Sequence, residues 1–545
     1  MSTPHQPGPA TAPESTRTQR VWFAVAALLA VYAILAWLQR APSITAANDD
    51  AEYLLLGHAL AQGSYRNLYV VGHPFQAQYP PGFPALLAAL GSVFGFRLWL
   101  FQAVNISCVI LSLGLLFDVV RHRWSERFAL VLLALLVINP SLVSRGGLLM
   151  SEAPYMALAM VPLWVTVRRP ASGKWLAVAA VAAVAASLTR SIGVTLIAAM
   201  LLYLLLERRW RGALGLLTLA LVTVGSWIGW TMQLPGSTGR SYVADSVAGY
   251  ETSGGLLGTI LTRLTTNVPQ YLIRGIPFHL PVFTIPGTPI DNIMWVSVVT
   301  VLGLVGVTVI WLRWRVAALY LVSYLGLVAI WAWTLSRYLI PIVPLIVLAV
   351  LAGANEVRTR WWPRGGLALA GVVVALIALQ SLRENAPRTR IALGCGRSAP
   401  LVDPACFNPD QMALFAGAKY AAGSLPGSAA ILAAKGATFS YYSDREVLYV
   451  DDTPVGSPDL LDLVRAKGVY YVFLGRNFGT EWAAMAHNLL QHCGRLKLVR
   501  SFPPHSHLFQ VLPTVAKDPS SPACAALADY VAFDSDVAAE PPLWW

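Results

Sequence analysis

Charge is what this sequence has least of. Of 545 residues only 12% are Asp, Glu, Lys or Arg while 56% are hydrophobic, against roughly a quarter charged in an ordinary soluble domain. Mean hydropathy is +0.58, which excludes a simple soluble domain and points to a membrane protein. Cysteine is also scarce: there are five, of which Cys395, Cys406, Cys493 and Cys524 follow Leu382 and Cys108 lies within an apolar run. The region after Leu382 has no phosphate loop or dinucleotide fingerprint, and no internal repeat is evident in the chain. No metal-ligand spacing is distinctive.

What charge there is has a pattern. The formal charge of +12 could suggest a nucleic-acid partner, so its distribution matters. Residues after Leu382 carry 14 Lys+Arg and 15 Asp+Glu, leaving 39 − 14 = 25 basic and 27 − 15 = 12 acidic residues before it. The excess therefore lies between apolar segments, as membrane topology demands, and argues against nucleic acid.

Eleven apolar runs recur: Val21 to Leu38, Leu98 to Val120, Phe128 to Val143, Met150 to Val167, Trp175 to Leu188, Ile192 to Leu206, Ala213 to Met232, Ile293 to Leu312, Val316 to Thr334, Tyr338 to Gly353 and Gly366 to Leu382. They predict about eleven transmembrane helices, several of them short. No small-residue cleavage site follows the first run, so it reads as an uncleaved helix. Basic segments (RTQR, RHRWSER, RRPASGK, ERRWR, RWR, VRTRWWPR) alternate with the others and belong inside. The expected organisation is a cytoplasmic tail over 1–20, a membrane domain over 21–382 with a first external loop at 41–97, and an extracytoplasmic α/β domain over 383–545. Four cysteines in an external domain permit disulfides, and sequence proximity pairs Cys395 with Cys406 and Cys493 with Cys524. Strand-like AAILA, REVLYV, GVYYVFLG, RLKLVRSF and HLFQVL alternate there with helix-like stretches. The localisation expected is a multi-pass inner membrane protein with its C-terminal domain periplasmic or extracellular.

On that topology the unusual charges gather at the external rim. AANDDAEYLLLGHALAQG places Asp49, Asp50 and Glu52 at the start of an amphipathic helix. One reading is a D-x-x-E helix cap; the other is a general base beside a helix N-terminus facing a phosphate. If Asp49 is locked as the cap, Asp50 is the freer base. QYPPGFPALLAALGSVFG suggests a re-entrant or interfacial helix. LLMSEAPYMAL starts a span at Glu152, preceded by Arg145; SLTRSIG holds Arg190 between two short spans; WTLSRYLIPIVPLIVL brings Arg337 and Tyr338 into a proline-disturbed helix. Arg337 is the strongest candidate for an anionic headgroup. His58 and His73, with the carboxylates, raise a possible divalent cation, although no metal site is assigned.

In order, the acidic pair, YPPGFP, SEAPY, LTRSIG and SRYLIPIVP resemble the GT-C glycosyltransferases. Within these, the resemblance is to the bacterial branch related to protein O-mannosyltransferases and to the aminoarabinose transferase that modifies lipid A, over roughly Val21 to Leu382. It implies an inverting hexosyl or pentosyl transfer from a polyprenyl-phosphate sugar to an envelope lipid, polysaccharide or protein at the outer face. It also implies Asp49, or else Asp50, as base, Glu152 orienting acceptor or base, and Arg190 and Arg337 neutralising the phosphate. Glu52, His73, Tyr79, Arg145 and Tyr338 complete the candidate binding set. Relatives that modify lipid A tend to have Lys directly before the double proline, where this chain has Tyr79; His73 or Arg66 could supply the missing basic contact. The rival class is a transporter or flippase of lipid-linked intermediates, which would place key charges near mid-bilayer.

Overall fold

The structure, a computed structural model, describes residues 14–45, 47–234, 255–280, 289–396, 398–433, 435–449, 457, 459–475, 481–513 and 521–534. Each of the eleven apolar runs contains a helix, and the helices differ in length. Among the described residues six helices are long and apolar enough to cross a membrane: Thr18–Leu38, Leu98–Arg123, Trp210–Thr231, Ile293–Arg313, Ser336–Trp361 and Pro363–Gly394. A seventh crossing is available if Glu126–Val137 and Pro140–Gly146, bent by 60° at their junction, act together. The bend follows from Pro140, which cannot continue the first helix, and from Asn139, whose side chain accepts from the Leu142 N–H and restarts the second. The remaining runs give Glu152–Arg168, Gly173–Thr189, Ser191–Leu206 and Arg315–Ala329. At 1.5 Å per residue a 17-residue helix reaches about 25 Å, the short end of what crosses a hydrocarbon core of roughly 30 Å.

Val343–Glu356 is the centre of the membrane half, with Val343 through Ala354 buried. It meets Pro289–Arg313 backbone to backbone. A Cβ at Gly306 would stand 1.7 Å from the Ala349 carbonyl oxygen, and one at Gly353 would stand 1.9 Å from that of Leu302. Small residues thus allow a close helix contact, as they do where lipid gives helices no hydrophobic reason to associate.

The C-terminal region forms a five-stranded sheet of β1 (Ala430–Ala433), β2 (Val447–Tyr449), β3 (Val469–Leu474), β4 (Leu496–Phe502) and β5 (Ser506–Val511) in the order β2-β1-β3-β5-β4. β1 runs parallel to β2 and β3, whereas β5 is antiparallel to β3 and β4. All five strand-like segments are strands, and Cys395–Cys406 and Cys493–Cys524 are the two disulfides. The helix ending the membrane half runs past Leu382 to Gly394.

The two halves share a core. Tyr53, Leu54, Phe83 and Met150 of the membrane half cluster with Phe407, Phe439, Val447 and Phe473. The first external loop also extends the sheet: Val70 pairs parallel with Val447, through Val71 N–H to Val447 O (3.0 Å) and Val447 N–H to Tyr69 O (2.9 Å). That covers the β2 edge, which would otherwise offer unpaired backbone groups.

Candidate active site

The helix Asp49–Ala61 starts at Asn48, whose φ of 79° lies in the left-handed region and whose side chain makes no cap bond to the helix. Asp49 is therefore not spent on capping. Its Oδ2 pairs with Arg337 Nη1 at 2.6 Å, and its Oδ1 accepts from the Tyr79 hydroxyl at 3.2 Å. Burial pushes the Asp49 carboxyl up, but the Arg337 guanidinium outweighs it, with Lys435 and Tyr79 adding to the effect, and holds it below the usual carboxylate value.

One turn on, Tyr53 shares the face of Asp49. Its ring packs edge-on against Tyr79 at 4.9 Å, and its hydroxyl shares a 3.0 Å hydrogen bond with Ser151 Oγ. Ser151 also accepts from Arg190 Nη1 at 2.9 Å, and that same nitrogen pairs with Glu152 Oε1 at 2.9 Å. Glu152 stands in the first turn of its helix, where the positive end favours a carboxylate. Arg190 occupies the extended break between Gly173–Thr189 and the 3-10 turn Ser191–Gly193, which aims it sideways out of the helices. The YPPG segment reaches it because Gly82 has no side chain: a Cβ there would stand 2.6 Å from the Leu188 carbonyl oxygen. Arg145 is buried in the last turn of Pro140–Gly146 and lies within the field of Glu152, Asp49 and Arg337.

These groups flank a cavity of about 350 Å³. Tyr53, Gln78, Tyr79, Arg190 and Tyr338 give it a polar side, and Val194, Val224, Ile228, Leu327 and Val328 an apolar one. Trp227 and Trp331 also line it. Glu152 Oε2 and Arg337 Nε are buried without a hydrogen-bond partner among the described residues, an arrangement that calls for a polar group from outside.

Seven sequence-predicted residues are thus gathered: Asp49, Tyr79, Arg145, Glu152, Arg190, Arg337 and Tyr338. Three are placed elsewhere. Asp50, expected to be the freer carboxylate if Asp49 capped the helix, is the more tied one: Oδ2 accepts from Thr45 N–H at 2.7 Å and Oδ1 from Ala51 N–H at 3.0 Å. Its burial pushes its pKa up to about 6 despite those donors. Glu52 accepts from Gln76 Nε2 at 3.3 Å inside the first loop. His73 hydrogen-bonds Glu446 at 2.9 Å, while Arg66 donates to the His73 carbonyl at 3.2 Å and covers the Phe75 ring, so neither replaces the basic contact missing at Tyr79. Among the described residues no three His, Cys, Asp or Glu are grouped as metal ligands, and His58 stacks on Phe96. Asp49 and Glu152 are each paired with a guanidinium. Tyr53 and Ser151 were missed, although the i, i+4 spacing from Asp49 and the SE dipeptide signalled both. Between Gln233 and Asn292, residues 235–254 and 281–288 lie outside the described residues, and 255–280 are helical from Gly255–Gln270 to Ile276–His279.

Residues 78–230 match the model of the dolichyl-phosphate-mannose-protein mannosyltransferase family. No curated protein matches the chain. The structure is similar to ArnT from Cupriavidus metallidurans bound to undecaprenyl phosphate, with TM-score 0.53, 13% identity and coverage of 92% of this chain and 99% of that one. It is also similar to the oligosaccharyltransferase AglB from Archaeoglobus fulgidus in complex with an inhibitory peptide and a dolichol-phosphate, with TM-score 0.52, 11% identity and coverage of 95% and 78%.

Proposed function

We propose that this chain, whose fold is that of the GT-C glycosyltransferases, is an inverting transferase that moves a sugar from a polyprenyl-phosphate carrier to an acceptor hydroxyl at the outer membrane face. A lipid-linked donor is the class supported by the mannosyltransferase match and by the lipid phosphates in the two similar structures. The observation that carries the reading is the Asp49–Arg337 pair held beside Tyr79 and Tyr338, which line a cavity whose opposite side is apolar.

The carrier's chain keeps to the apolar wall while its phosphate sits at the rim, because burying an unpaired phosphate is costly. Arg337 and Arg190 meet it with charge-assisted hydrogen bonds. As Arg337 turns to the phosphate, Asp49 loses the partner that depresses its pKa and becomes a stronger base. The acceptor oxygen then attacks the anomeric carbon from the opposite face and its proton passes to Asp49. The bond from that carbon to the phosphate oxygen breaks, leaving polyprenyl phosphate and an inverted glycoside. Charge grows on the leaving phosphate, where fixed guanidinium groups act most strongly. Glu152, through Arg190, holds one of them in place. The acceptor is an envelope lipid, polysaccharide or protein, and the four-cysteine domain faces an oxidising exterior.

The test is transfer from a labelled polyprenyl-phosphate sugar to envelope acceptors by the detergent-purified protein. Asp49→Asn should lower turnover by a factor of roughly 10² to 10⁴ with undecaprenyl phosphate binding retained. Full turnover by that variant would sink the base assignment.

A further inference from the structure

Residues 255–279 form a helix that is inside out. It runs as Gly255–Gln270, the π-turn Tyr271–Gly275 and Ile276–His279. Thr259, Asn267, Tyr271, Gly275 and His279 are buried and Arg263 is half-buried, so the protein-facing positions recur every four residues and are mostly polar. Leu256, Leu257, Leu261, Ile273 and Phe278 are exposed, by 43% to 70%. A surface helix in water shows the reverse; this pattern suits a helix whose outer face meets lipid. A four-residue spacing overshoots a turn of about 3.6 residues, and the wider π-turn takes up part of the overshoot, which keeps the stripe on one face.

The stripe meets the stretch between the end of the helix Arg315–Ala329 and the 3-10 turn Ser336–Ile342. That stretch lacks the hydrogen-bond ladder of a helix, and free carbonyls at membrane depth are costly unless the protein satisfies them. Arg263 Nη1 donates to Ile330 O at 3.2 Å, and Asn267 Nδ2 donates to both Ala329 O at 3.1 Å and Trp331 O at 2.8 Å. Farther along, the Tyr271 hydroxyl donates to Leu335 O at a long 3.5 Å and His279 Nε2 to Ser336 O at 2.6 Å. Asn267 holds the most: its Oδ1 also accepts from Thr334 Oγ1 at 2.9 Å. One buried amide thus uses both its ends to fasten three points of the stretch.

The stretch is a wall of the candidate site. Leu327, Val328, Trp331 and Tyr338 line the cavity, and Arg337 pairs with Asp49. A wall of irregular backbone takes its shape from what fastens it. Asn267 grips it on either side of Ile330 and at Thr334, beside the apolar Leu327 and Val328, where the carrier's chain would lie. Asp49, which takes the acceptor's proton in the transfer above, is held instead by Arg337 and Tyr79.

We propose that Asn267 is a positioning residue for the lipid-linked donor: from a lipid-facing helix it fixes residues 329–334 in the shape that receives the carrier. This rests on the glycosyltransferase reading above. Asn267 acts through Trp331 and Thr334, and its side chain is no part of the cavity lining.

The experiment measures transfer from a labelled polyprenyl-phosphate sugar to envelope acceptors as donor concentration is varied, together with binding of undecaprenyl phosphate, on the full-length protein in detergent. Asn267→Leu keeps the volume and removes every bond of the amide. It should raise donor KM roughly tenfold and weaken undecaprenyl phosphate to a similar degree, while the rate at saturating donor stays within about threefold of wild type. Thr334→Val and Thr334→Ser give a test that does not depend on how Asn267→Leu folds. Thr334→Val, which loses the hydroxyl, should raise donor KM about threefold, and Thr334→Ser, which keeps it, should match wild type. An unchanged donor KM in Asn267→Leu and Thr334→Val overturns this inference and leaves the glycosyltransferase reading standing. A lower saturating rate with donor KM unchanged also overturns it, since loss of folded enzyme does just that. Equal impairment of Thr334→Ser and Thr334→Val does the same, because packing and not the hydrogen bond would then be the cause. Wild type that neither transfers the sugar nor binds undecaprenyl phosphate sinks the glycosyltransferase reading, and this inference with it.

Discussion

Asp49 and Asp50 are neighbours of one chemical type with opposite fates. A helix turns by about 100° per residue, so one carboxylate faces Arg337 and Tyr79 while the other faces the Thr45 turn and its N–H groups. Asp50→Asn should therefore leave turnover within about threefold of wild type but lower the melting temperature, because one acceptor of a buried pair is replaced by a donor. The pH dependence separates the effects further. Asp50 in the folded protein holds its proton up to about pH 6, against an ordinary value of 3.8, because burial penalises its anion. The folded state thus binds more protons between those values, and this contribution to stability falls as pH rises through that window. Melting curves from pH 4 to 7 should show a pH-dependent gap between wild type and Asp50→Asn that flattens above pH 6. His279 acts on Arg337 at one remove: Nε2 lies 2.6 Å from the Ser336 carbonyl and Nδ1 2.8 Å from Ser141 Oγ. His279→Gln can still donate to Ser336, whereas the shorter His279→Asn cannot. Donor KM and kcat together should show the first near wild type and the second down by about tenfold in kcat/KM, roughly one lost hydrogen bond. Equal values for the two would remove the positioning role.

At the scale of elements, the contact between Pro289–Arg313 and Val343–Glu356 bears directly on the site, since Arg337 enters the second helix from its N-terminal side. Gly306→Ala would drive a methyl into the Ala349 carbonyl, and helix backbones yield less readily than side chains. A loss of about 3 kcal/mol or more is expected, of the overpacking kind. Gly303→Ala lies on the same helix with no atom within 4 Å, so it should be neutral or slightly stabilising through helix propensity. Detergent melting curves of the pair check this; equal melting temperatures would mean that the helices separate at no cost. The break at Arg190 and the bend before Pro140 are likewise working features, because a continuous helix would keep those side chains on a regular face.

At the scale of the whole molecule, the sheet domain is a structural partner of the membrane half. Cys395 and Cys406 sit in the core that both share, and their disulfide fixes the segment joining the last membrane helix to Phe407. Closing an 11-residue separation stabilises by roughly 3 kcal/mol. The Cys395→Ser/Cys406→Ser pair should become more sensitive to limited proteolysis at the junction and lose transfer activity in parallel. The corresponding change at Cys493 and Cys524, at the far side of the sheet, should affect the domain while leaving the junction intact. Equal junction cleavage in both double variants would show that the shared core does not depend on the first disulfide.

The sequence by itself determined the class of protein, the helical runs, the strands, the cysteine pairs and most of the residues that folding gathers around Asp49. Those depend on composition, periodicity and short spacings, which are local properties. Tertiary structure alone decided the rest. Eleven apolar runs became six long helices, one bent pair and four short ones, because the length of a helix depends on where proline and packing stop it. Between Asp49 and Asp50 the choice required knowing which face meets Arg337, 288 residues away. The docking helix Gly436–Ser443 of the sheet domain carries no local motif; it matters only because folding brings it against residues 44–48, and no spacing along a chain records a contact made across nearly 400 positions.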